Sequence, residues 1–96
     1  MNRSVETDVV ARRVSELMSF TQTSNQELAR ICGVTPNAIS QKRNGQRSFR
    51  TSELVLAMRL FKEKGVQVDI DFLIGLPDAQ RPRYTPKENA LVQVGA

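Results

Sequence analysis

Residues 24–45, SNQELARICGVTPNAISQKRNG, constrain the fold more than any other stretch, because they punctuate two helices and the turn between them. Ser24 followed three residues later by Glu27 has the form of a capping box. In such a box the hydroxyl accepts from one free backbone N–H while the carboxylate reaches back to another. A helix is therefore expected from about Asn25. Leu28, Ala29 and Cys32 fall at helical spacing and place a small apolar stripe on one side of it. Gly33 is the stop, since glycine enters the left-handed conformation that costs other residues about 1 kcal/mol or more. Thr35 is a good N-cap, and Pro36 suits the first helical position, where a missing N–H forfeits no helical bond. The second helix is predicted from 36 to about 44. Ala38 and Ile39 are its main inward positions. Asn37, Ser40, Gln41, Lys42, Arg43 and Asn44 leave one face polar and basic, open to something outside the protein.

These residues resemble the helix-turn-helix of the lambdoid phage repressor and Cro proteins, the XRE family. The likeness rests on Leu28 and Ala29 in the first helix, Gly33 and Val34 at the turn, Ile39 in the second helix, and Asn44-Gly45 after it. Ala29 is small where the helices cross, and Val34 and Ile39 supply the core they share. Two positions depart from the family pattern. Lys42 stands where an apolar or aromatic residue is usual, and Arg43 where glutamate is frequent. The expectation for Lys42 is a stem covering the core edge with its ammonium in solvent or on a phosphate. For Arg43 it is an ion pair with Glu16.

Charge agrees with a polyanionic partner. Of the formal +4 on 96 residues, the whole excess falls on residues 24–50, where Arg30, Lys42, Arg43, Arg47 and Arg50 face only Glu27. Concentrated beside a polar helix, such an excess is the electrostatic footprint of nucleic-acid binding, whereas a scattered one is ordinary solvated surface. The chain length allows one small domain with a helical core. The single cysteine, Cys32, reads as a small buried hydrophobe, and with no histidine neither a structural zinc site nor the commonest general base is available. No metal, cofactor or small-molecule substrate is expected, and no nucleophile-base pair, phosphate-binding glycine loop or carboxylate cluster suggests an enzyme. No apolar run is long enough to span a membrane, and no signal-peptide core is present, which points to the cytoplasm.

Taken in order, residues 1–4 read as loose. Val10, Val14, Leu17 and Met18 then predict a helix from about Val5 that lies over the motif, with a polar connection at 21–24. After the motif comes a polar loop at 45–52 in which Phe49 plugs the core. Thr51 or Ser52 is expected to cap a fourth helix, helped by Glu53 near its positive end. Leu54, Ala57, Met58 and Phe61 form its stripe. Val55, Leu56 and Leu60 widen it enough to suggest deep burial or a second subunit. Gly65 stops it. Residues 66–75, VQVDIDFLIG, begin with strand-like alternation but are assigned to a short helix starting at Asp69. From 77 onward three prolines and many polar residues predict a flexible tail, with a strand at 90–94 as the alternative.

The expected architecture is thus all-α, a compact five-helix lambda-repressor-like DNA-binding domain at 1–76 with a tail at 77–96. The resemblance implies that residues 36–44 enter the major groove of double-stranded operator DNA, bound by a homodimer. Asn37 and Gln41, four apart on one face, suit bidentate pairing with adenine, and Thr35, Pro36 and Ser40 flank them as base contacts. Asn25, Gln26, Lys42, Arg43, Asn44, Arg47 and Arg50 are the expected phosphate contacts. Two other functions fit the same residues. One is the antitoxin of a toxin-antitoxin system, with 84–94 as the toxin-binding tail. The other is an interaction domain that kept the fold without binding DNA.

Overall fold

The computed structural model describes residues 5–84, with side chains from residue 9 onward. Among them five helices and a two-stranded ribbon follow in the order α1 (Val5–Thr21), α2 (Asn25–Cys32), α3 (Pro36–Arg43), α4 (Thr51–Glu63), β1 (Val66–Gln67), α5 (Ile70–Leu73) and β2 (Arg83–Tyr84). The domain is mostly helical, as the apolar periodicities require. The expectations for residues 1–4 and for a strand at 90–94 concern positions outside the described residues.

Each helix contributes to one core. Val14, Leu17 and Met18 of α1 meet Leu28 and Ala29 of α2, Ile39 of α3, Leu54, Ala57, Leu60 and Phe61 of α4, and Leu73 of α5. Burying such a side chain is worth about 1.5–3 kcal/mol, so these residues, rather than helix propensity, hold the short helices α2 and α3 in place. Val10, Cys32, Val34, Phe49 and Met58 pack against the same cluster while half-buried. No helix among the described residues is long and apolar enough to cross a membrane.

The turns follow the punctuation of the chain with instructive exceptions. At α2 the Ser24 hydroxyl accepts from the Glu27 N–H at 3.0 Å. The Glu27 carboxylate, however, accepts from Lys64 Nζ at 2.8 Å, so only half of the expected capping box carries over. The same ammonium donates to Thr23 at 2.9 Å and thereby ties the α1–α2 corner to the end of α4. Gly33 stands at φ 72°, and the Val34 N–H returns to the Ala29 carbonyl at 3.0 Å, closing α2 as expected. At α4, Thr51 and Ser52 are not the caps. The helix begins at Thr51, and the carboxylate of Glu53 reaches back to the Arg50 N–H at 2.8 Å.

The C-terminal third holds one refinement and one correction. The short helix expected from Asp69 is present as Ile70–Leu73, with Asp69 in the N-cap position but without a side-chain cap bond, and the residues before it, Val66–Gln67, form β1. The alternation of Val66 and Val68, both buried, around exposed Gln67 is the strand-like start seen in the sequence. The segment assigned to the tail also contributes structure. Arg83–Tyr84 pair antiparallel with β1, Val66 opposite Tyr84 and Gln67 opposite Arg83. Tyr84 packs edge-on against Phe20 of α1, with ring centroids 5.0 Å apart. Arg13 of α1 lies over the Phe72 ring at 4.2 Å and donates to its carbonyl at 2.5 Å. Gly75 is needed at this junction, because its φ is 85° and a Cβ there would come within 2.8 Å of Val9.

Candidate nucleic-acid interface

The candidate surface is built on α3. Thr35 has extended backbone at the N-cap, and its hydroxyl accepts from the Ala38 N–H at 3.1 Å. Pro36 follows without an N–H to satisfy. This chemistry starts the helix abruptly, and Thr35, Pro36 and Asn37 stand exposed at its tip. Ile39, on the other side, is completely buried in the common core. Ser40 and Gln41 are half-buried, and Gln41 shares the Asn37 face one turn on. The Gln41 side-chain oxygen lies 3.4 Å from Arg47 Nη1, which brings a base-contact candidate and a phosphate-contact candidate together.

The cationic end of α3 departs from expectation. Lys42 is only 4% exposed, and its ammonium meets both carboxylate oxygens of Glu53, at 2.6 and 2.5 Å. Its charge is therefore not directed to solvent. Once the ammonium is turned inward it needs this counterion, since a buried ammonium without one costs several kcal/mol. Nor does Arg43 pair with Glu16. Its guanidinium donates to Ser15 Oγ at 3.0 Å and to Asn25 Oδ1 at 2.7 Å, lacing α3 to α1 and to the first residue of α2. Among the phosphate candidates, Gln26, Asn44, Arg47 and Arg50 are exposed. Asn25, Lys42 and Arg43 are instead engaged in bracing the motif.

The residue missed in the sequence is Glu53. It was legible only as an acid favourable to the helix dipole, yet it is 5% exposed and holds Lys42 and the Arg50 N–H together. The available signal was Lys42 itself: a cation at an inward helical position requires a buried acid nearby. Burial pushes the Glu53 pKa up, but the hydrogen bonds from the Arg50 N–H and Lys42 outweigh it and hold the carboxyl below its ordinary range. The neighbouring Cys32 thiol, half-buried with Sγ 4.0 Å from the Glu53 carbonyl, is pushed up by burial and by the Glu53 charge.

Compared with known proteins, the chain matched no family model, and neither the curated-protein search nor the solved-structure search returned a match.

Proposed function

We propose that this chain is a sequence-specific double-stranded DNA-binding transcriptional regulator, a repressor of the phage repressor/Cro kind that occupies operator DNA as a dimer. The observation that carries the reading is the division of α3, whose polar N-terminal tip and Gln41 face outward while Ile39 anchors the opposite side in the core. A helix so mounted presents its first residues to base edges in the major groove. Asn37 and Gln41 are then the readers, each with an amide suited to adenine N6 and N7, and Thr35, Pro36 and Ser40 border them. Arg47, Arg50, Gln26 and Asn44 hold phosphates, fixing register without reading sequence. Lys42, Arg43 and Asn25 brace the reading helix from behind. One module of this size offers a small interface, so two copies on half-sites about one helical turn apart supply the specificity.

Selection of duplexes from random DNA with the full chain, followed by titration of variants, tests the reading. Gln41→Ala loses about 1–3 kcal/mol of discrimination at one base pair, whereas Arg50→Ala weakens selected and scrambled duplexes alike. Equal losses on both duplexes for Gln41→Ala remove it as a reader. If no duplex is retained at low salt, the interaction-domain reading takes the place of this one.

A further inference from the structure

The Lys42–Glu53 pair is not needed to fill space. Apolar residues of similar volume commonly replace a buried ion pair at no cost in stability. What an apolar pair cannot supply is direction. The Glu53 carboxylate, on the first turn of α4, receives Lys42 from the last turn of α3 and, on the same Oε1, the Arg50 N–H from the end of the connecting loop. At the start of that loop the Gln41 carbonyl receives the N–H groups of Gln46, at 2.9 Å, and Arg47, at 3.3 Å. Helix, loop and carboxylate therefore form a closed circuit: Gln41 fastens the loop to α3, Glu53 fastens its far end, and Lys42 returns the connection to α3. Because Phe49, within the loop, is packed against the core, the segment has little freedom left.

We infer that Glu53 is a positioning residue, one that sets the backbone of the Arg47–Arg50 loop at a fixed distance from Gln41 so that phosphate grip and base reading engage in a single register. This rests on the DNA-binding reading above and deepens it. Glu53 itself is buried and touches no DNA. Arg50 is the residue through which it acts, with an exposed side chain and a backbone N–H that Glu53 holds.

The double variant K42M/E53L separates positioning from folding, since it removes both charges together and leaves none stranded. In the full-length chain it is expected to stay folded and to melt within about 8 °C of the wild-type temperature, the relief of two buried charges offsetting the lost bond to the Arg50 N–H. Hydrogen exchange at the Arg50 amide is expected to quicken by about tenfold, and affinity for the selected duplex to fall by about tenfold, the size of one lost charge-assisted contact. The plot of log affinity against log salt is expected to become shallower by about one, as for a phosphate contact no longer held. A purely structural pair leaves that slope unchanged in a variant that folds. A folded double variant with wild-type affinity and slope overturns the inference. If that double variant fails to fold, K42M/E53M, which also strands no charge and has an unbranched side chain closer in shape to glutamate, decides in its place: faster Arg50 exchange with a shallower slope supports positioning, and wild-type values for both reject it. A wild-type chain that binds no duplex removes the DNA reading instead, a result distinct from a variant that binds as well as wild type.

Discussion

At its first turn α3 shows Thr35, Pro36 and Asn37 to solvent; at its last, Lys42 is buried on Glu53 and Arg43 is laced to Ser15 and Asn25. Both ends read as polar in the sequence, and the more strongly charged one is the end that turns inward. Hydrophilicity alone therefore does not separate a surface for a ligand from a brace beneath it. The discriminating quantity is angular position: Lys42 lies three residues after Ile39, on the side of the helix that the core occupies. A charge there must be paired internally, while neutral amides on the opposite side remain available.

The contrast predicts a graded set of effects. The largest is at the braced end. Lys42→Met leaves the Glu53 carboxylate buried without its counterion and is expected to lower stability by about 3–5 kcal/mol in urea unfolding; a loss under 1 kcal/mol would place the pair in the solvated class after all. A smaller effect of the same origin appears in acid. Since the folded Glu53 pKa lies below its ordinary value, the carboxylate contributes stability that is complete above the ordinary glutamate value of about 4.3 and is lost as pH falls through the folded one. Unfolding followed between pH 7 and 2 should thus show an acid limb that E53Q makes shallower. At the exposed end the pattern reverses. Asn37→Ala is expected to change stability by less than about 0.5 kcal/mol yet cost about 1–3 kcal/mol of discrimination at one base pair, measured on duplexes altered one position at a time. The smallest effect is expected for Thr35→Ala, which removes a cap and about 1 kcal/mol of stability; a melting curve identical to wild type would show that Pro36 starts the helix unaided.

Legibility followed the range of the interactions. The α2–turn–α3 unit was readable because Ser24, Gly33, Thr35 and Pro36 act on backbone groups within a few residues of themselves. The core stripe of α1 and that of α4 were readable for the same reason, as their period is a property of the helix. Other features were illegible because their partners lie far along the chain. The carboxylate of Glu27 had a local use, completing the box with Ser24, but Lys64 from the end of α4 claims it instead. Likewise, the strand-like alternation from Val66 was visible, but its pairing with Arg83–Tyr84, from a segment read as tail, was not. The exposed tip of α3 was located from the Thr35–Pro36 start signal and the polar residues that follow it, whereas the bracing roles of Asn25, Lys42 and Arg43 were not.

What the amino-acid order determined unaided was where α2 and α3 begin, where α2 stops and which stripe of each long helix is apolar, since the Ser24 and Thr35 caps, the Gly33 turn and helical periodicity are decided by neighbours a turn or less away. What only the packed chain decided was the partner of each buried or half-buried charge and the return of residues 83–84 onto β1. An ammonium on an inward face must find an acid, but which acid depends on which helix crosses there. That crossing is set by the fit of Leu28, Ile39, Leu54 and Phe61 into one core, a condition no local pattern contains.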